Sequence, residues 1–265
     1  MSASHWTLIA SYAIGALSSP LLLWELGSVV TALQKGCENA SAVRQVLAMP
    51  LDTLLKDADE LQGQLRSLAE EDFEEFRCMT GAHLQPADSI NLCNVLYLFA
   101  QFWGRLEILR RESFHAELAR NRQGAILLRF LRCLESKRVR LVDRAWQRAI
   151  GESAMLTEKP PAETVSFKRF VEQYEKTERL RAWLKPLENV LRETRYSRAR
   201  QRVLQYGVVV HTLIDTLDPR HYTTKQRPAY PNKLSRRAKR ELIGRVFAIY
   251  LPDVRHPEKY TGIQR

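Results

Sequence analysis

Residues that break helices or cross-link a fold are scarce in this chain. Glycine and proline number 11 each in 265 residues, while Leu, Ala, Glu and Arg recur throughout, so intrinsic preference leans to helix. Long runs rich in Val, Ile and Thr are missing, which argues against a sheet-dominated fold. The four cysteines, Cys37, Cys78, Cys93 and Cys133, lie at wide, irregular spacings. No CxxC pair and no adjacent histidines complete a zinc site, and a disulfide framework would be unusual in so long a chain. They read as ordinary thiols of a reducing compartment. Also missing are a glycine-rich phosphate loop, a GxSxG elbow, a dinucleotide fingerprint and the kinase motif set. These gaps point away from familiar hydrolases and nucleotide enzymes. No cofactor, metal or catalytic residue is assigned.

What is present is a globular composition, with 45% apolar and 27% charged residues and a formal net charge of +11. The excess is localised. Residues 1–191 hold 24 Lys/Arg and 24 Asp/Glu, whereas residues 192–265 hold 17 against 6.

One long uncharged run stands out. From Trp6 to Trp24 the sequence WTLIASYAIGALSSPLLLW carries no charge over 19 residues, close to the roughly 30 Å hydrocarbon thickness at about 1.5 Å per residue. Trp6 and Trp24 bracket it as interfacial aromatics do, and apolar residues resume after Glu25. This predicts a transmembrane anchor within residues 1–34, contacting the bilayer through residues 6–30. Nothing basic precedes Trp6 except the terminal amine, with His5 beside it, while Lys35 and Arg44 follow. The expected topology is single-pass in a bacterial inner membrane, with the C-terminal body cytoplasmic.

The body, residues 45–220, reads as a succession of amphipathic helices, making the fold class mainly all-α. Leu51, Leu54, Leu55, Ala58, Leu61, Leu65 and Leu68 recur at three-four spacing, with an acidic opposite face. A broad stripe from Leu92 to Leu109, capped at Asp88 or Ser89, predicts a central helix. The acidic stretch 52–75 and the basic stretch 105–148 are expected to be neighbours. Residues 126–150 read as mostly helix, but Lys137-Arg138-Val139-Arg140-Leu141 alternates, so a minor short strand pair is expected near 137–146. Glu152–Thr164, with Pro160 and Pro161, reads as a loop. Further helices are expected at about Ser166–Thr177, Glu178–Arg192 and Ser197–Leu217, the last stopped by Asp218-Pro219. Residues 221–265 form a basic C-terminal extension. It contains an extended stretch from Tyr222 to Asn232 and one amphipathic helix, capped by Ser235, with Leu234, Ala238, Leu242, Val246 and Ile249 on its apolar side.

Four stretches in order, from Pro50-Leu51 to Glu60-Leu61-Gln62-Gly63-Gln64-Leu65, from Leu96-Tyr97-Leu98-Phe99-Ala100-Gln101-Phe102 to Glu107-Ile108-Leu109-Arg110-Arg111, Gln147-Arg148-Ala149-Ile150-Gly151-Glu152, and Leu213-Ile214-Asp215-Thr216-Leu217-Asp218-Pro219, resemble an uncharacterised bacterial family of N-terminally membrane-anchored helical proteins. The resemblance covers most of residues 45–220. It implies the anchor and the helical body, and no activity. Gly104 stands where the resemblance leads one to expect an aromatic residue.

Three constellations are candidates for function. Glu107, Arg110 and Arg111 share a helix face, and Gln147, Arg148 and Glu152 repeat the theme. They read either as a structural ion-pair network or as an anion pocket built from Arg110, Arg111 and Arg148. His211, Asp215, Asp218 and His221 are spaced to exchange a proton or hold a metal, without an HExxH pattern. Lys233, Arg236, Arg237, Lys239, Arg240 and Arg245 would face solvent, an anionic lipid surface or, third in order, nucleic acid. The function expected is that of a membrane-tethered helical interaction or scaffold protein with an unknown protein partner. The alternatives are a nucleic-acid-associated factor working through the basic tail, and an enzyme or sensor with an Arg-rich anion pocket.

Overall fold

The computed structural model describes residues 51–77, 86–112, 119, 122–156 and 163–263. The expected anchor, residues 6–30, lies outside them. Among the described residues no helix is long and apolar enough to cross a membrane. Pro50–Arg265 form one compact unit, mostly helical.

Helix α1 covers 51–70. Leu54, Leu55, Ala58, Leu61, Leu65 and Leu68 are buried while Asp52, Lys56 and Glu60 face water, the one-sided stripe that the spacing dictates. It ends in a tight turn in which Asp72 and Phe73 both take left-handed backbone, φ 51° and 59°. Complete burial of the Phe73 ring offsets that strain. The short α2, Glu74–Arg77, follows.

Helix α3, Pro86–Glu112, starts earlier than the expected cap, with proline in the first turn where its missing N–H leaves no bond unmade. Leu92 through Leu109 bury most of its circumference. Helix α4 is Arg122–Leu134 and α5 is Arg144–Ser153. Between them the strand pair expected near 137–146 does not form. Val139 and Arg140 both donate their amides to the Ser136 carbonyl, at 3.1 and 2.9 Å, which are turn bonds rather than a ladder. The alternation arises because Val139 and Leu141 reach into the core from that turn, 3% and 2% exposed. The described sheet lies elsewhere: β1, Met155–Leu156, pairs antiparallel with β2, Glu163–Thr164.

Helix α6, Phe167–Lys176, is capped by the Ser166 hydroxyl, which accepts from the Arg169 amide at 3.4 Å. Helix α7 is Glu178–Arg192. Helix α8, Ser197–Leu217, is buried continuously from Val203 to Ile214, so with α3 it forms the centre of the bundle. There Trp103 Nε1 donates to Tyr206 Oη at 2.7 Å, deep in the core beside Phe99.

After Asp218 the chain turns at 219–220 and bends through 222–224, so the extended stretch begins only at Lys225; it runs to Tyr230 and turns through Pro231–Lys233. Ser235 then caps α9, Arg236–Glu241, accepting from the Ala238 amide at 3.2 Å. The same helix continues through a widened π segment, Leu242–Phe247, into α10, Ala248–Tyr250. Tyr230, Leu234, Ala238, Leu242, Val246, Phe247 and Tyr260 belong to the same core as α1, α3 and α8, so the basic extension packs within the unit. Ile249, expected on the apolar side, is 65% exposed, and Phe247 is buried in its place. The π segment is the reason: it stretches one turn and carries everything after it round the axis. A last short helix, α11, is Glu258–Thr261.

Candidate functional site

The crossing of α3 and α5 places the first candidate group. A β-carbon on Gly151 would meet the Trp103 carbonyl carbon and oxygen at 2.8 Å, and one on Gly104 would meet the Gly151 oxygen at 3.1 Å. The backbones therefore touch, and the absence of a side chain at Gly104 and Gly151 is what permits it. Just beyond the contact, Glu107, Arg110 and Arg111 of α3 face Arg148 and Glu152 of α5.

Arg110 pairs with both Glu107 and Glu135, the latter from the turn after α4. Arg111 reaches Glu152 at 2.6 Å. Arg144 Nε lies 2.7 Å from Glu135 Oε2. The finding that Arg110 and Arg111 are occupied by carboxylates favours the network over a pocket built on them. Arg148 differs. Its nearest carboxylate oxygens, on Glu135 and Glu107, are 3.8 and 3.9 Å away, and its buried Nε makes no hydrogen bond among the described residues. Gln147 is 4% exposed and faces inward. Sequence spacing did not show Glu135 or Arg144, because they join the network from a turn and from the first residue of a helix. A shallow, open cleft of about 410 Å³ adjoins, lined by Ala149, Glu152, Thr177, Arg179 and Trp183.

A second group gathers on Asp215. Its Oδ2 accepts from Lys259 Nζ at 2.5 Å and Tyr260 Oη at 2.7 Å, while its Oδ1 lies 3.5 Å from His211 Nε2 and 3.7 Å from His221 Nε2. Burial holds the His211 pKa below its usual value, against the pull of Asp215. Asp218 plays another part. Burial opposes its ionisation, but the amides of Tyr222, Thr223 and Thr224 and the Thr224 hydroxyl, at 2.9–3.0 Å, outweigh it and hold the carboxyl below the usual range. It is the clamp of the turn after α8. Among the described residues no group of three or more His, Cys, Asp or Glu side chains is arranged to hold a metal ion.

The acidic and basic stretches of the body do meet, chiefly at one buried point. Asp57 on α1 accepts from Gln101 at 2.8 Å and from Arg105 at 2.9 Å on α3. Burial raises its pKa to about 6 in spite of the Arg105 guanidinium.

The basic C-terminal residues divide. Lys233 is engaged, with Nζ 3.3 Å from Asp72 and 3.2 Å from the Glu70 carbonyl. Lys239 is half-buried, its Nζ near the site of Gly262. Arg236, Arg237, Arg240 and Arg245 are exposed. Arg237 reaches Glu241 only at 4.0 Å, and among the described residues no carboxylate lies within 4 Å of the other three. Space around Gly244 is open, and Ile249 projects further along the same helix. Comparison of the chain with protein-family models, with curated proteins and with solved structures finds no match.

Proposed function

We propose that this protein is a membrane-tethered helical docking protein whose body presents an arginine ridge to an anionic lipid surface. One contrast carries the reading. Arginines that face the fold are matched to carboxylates, Arg105 to Asp57, Arg110 to Glu107 and Glu135, Arg192 to Glu188 and Arg227 to Asp59, whereas Arg236, Arg240 and Arg245 are left to solvent. Side chains whose charge the fold does not use are available to an outside polyanion. The uncharged run 6–24 and the resemblance to a membrane-anchored family support the tether, and a tethered body keeps the ridge near headgroups. Ile249 at the far end supplies an apolar point of the kind that interfacial helices bury.

Flotation of the full chain with vesicles tests both halves. Retention on neutral phosphatidylcholine vesicles after an alkaline wash reports the tether. The extra binding gained by adding phosphatidylglycerol reports the ridge. At about 1 kcal/mol per basic residue near the surface, the combined change R236Q/R237Q/R240Q/R245Q removes at least tenfold of that gain. An unchanged gain overturns the ridge, as does a variant that loses duplex DNA binding while keeping its lipid response. Release of the full chain by alkali overturns the tether.

A further inference from the structure

At the α3/α5 crossing, guanidiniums outnumber carboxylates among the described residues and lie outside them. Glu107 and Glu135 are the inner layer, their side chains 8% and 11% exposed, while Arg148 and Arg144 above them are 36% and 56% exposed. Among the described residues three guanidiniums, Arg110, Arg144 and Arg148, face two carboxylates, so one positive charge is left over. It sits on the outer side, and the geometry says which side chain carries it. Arg110 lies between both glutamates and Arg144 hydrogen-bonds to one. Among the described residues Arg148 has carboxylate oxygens only at 3.8 and 3.9 Å, beyond hydrogen-bond reach, so it is held in place by charge with its donors unspent there. Arg144 lies one helical turn before it on the same face, and Glu152, one turn after it, is already neutralised by Arg111.

We propose that Arg148, with Arg144, seats the phosphate group of a monoester or diester at the outer edge of this network. Two guanidiniums on one helix face suit a tetrahedral oxyanion, because each planar fork donates two parallel hydrogen bonds to a pair of its oxygens. The buried glutamates hold the arginines upright without occupying their outer donors. This seat is independent of the ridge on α9, and the ridge variant keeps it.

The test is a thermal-shift and calorimetric titration of the full chain in detergent, at constant ionic strength against chloride. Inorganic phosphate is the monoester-like probe and dihexanoyl phosphatidylglycerol, below its micelle concentration, is the lipid diester. A saturable response to either probe is expected, and the stronger one identifies the source. Arg148→Gln weakens it at least tenfold. Arg148→Lys, which preserves the charge balance of the network, still weakens it about threefold because the fork is lost. Glu107→Gln, which keeps an acceptor oxygen for Arg110, removes negative charge beneath the seat and tightens phosphate several-fold. A response no greater than chloride gives, a wild-type response in Arg148→Gln, or no tightening in Glu107→Gln overturns the proposal.

Discussion

Replacing Asp57 by asparagine removes a titration that works against the fold at neutral pH. The residue is 7% exposed, and burial raises its carboxyl pKa from 3.8 to about 6 although Arg105 donates to it. In the native state it therefore takes up a proton before the unfolded chain does. The sign follows from linkage: between pH 3.8 and 6 the native state binds more protons, so acidification stabilises it, and stability is lost as pH rises through 6. The full cost of ionisation is about 3 kcal/mol at 1.36 kcal/mol per pH unit, of which about 1.3 kcal/mol is recovered between pH 7 and pH 5. The carboxamide of the Asp57→Asn variant does not titrate in this range. Whatever constant amount the variant loses at Arg105 cancels when its stability is subtracted from that of the wild type at each pH. Urea unfolding followed by tryptophan fluorescence at pH 5, 6 and 7, at fixed ionic strength, gives both curves. Wild type minus Asp57→Asn should move by about 1.3 kcal/mol in favour of the wild type on going from pH 7 to 5. A flat difference, or one of opposite slope, would refute the claim that burial outweighs the Arg105 contact.

Two further substitutions probe the scaffold. Gly151→Ala places a methyl 2.8 Å from the Trp103 backbone, which cannot yield as a side-chain tip would, and should cost about 1–3 kcal/mol; chemical denaturation showing under about 0.5 kcal/mol would mean that the helices separate freely. Asp218→Ala leaves three backbone amides without their acceptor and should cost about 2 kcal/mol at pH 7. Because the native pKa of Asp218 is depressed, that stabilisation is complete above the unfolded carboxyl's pKa and fades as pH falls through the native one. The gap to wild type should therefore narrow in acid, and a gap that widens there would exclude the clamp.

The helices were largely legible because their signals are local. Ser166 and Ser235 accept the amides that an N-cap should, and Asp218-Pro219 stops α8 where its sequence says. What was hidden depends on neighbours distant in sequence. The alternating Val139 and Leu141 look like a strand because a turn over a core also alternates inward and outward residues. The reason for a glycine at 104 lies in Gly151, 47 positions later, whose backbone rests against it. Glu135 and Arg144 carry no periodic signal, and they enter the charge network only because α4 and α5 bring them to Arg110. Lys233 and Arg236 looked equivalent in sequence, yet the turn after α1 brings Asp72 to the former alone.

The widened turn Leu242–Phe247 leaves an imprint on the spacing of the residues it buries. Ala238, Leu242, Phe247 and Leu251 enter the core at intervals of four, five and four, with Val246 buried beside Phe247, so the stretch behaves as a regular helix into which one residue has been slipped. The surplus is absorbed within that single turn, and Gly244, with open space about it, is the position least missed by the core. Deleting it would restore an ordinary helical count, with Phe247 four residues after Leu242, and would leave Phe247 in the interior and Ile249 on the surface; closing the wide turn without a deletion would instead rotate all that follows by about 100°. The wide turn thus lets the chain carry one extra residue without changing which side chains face outward beyond it.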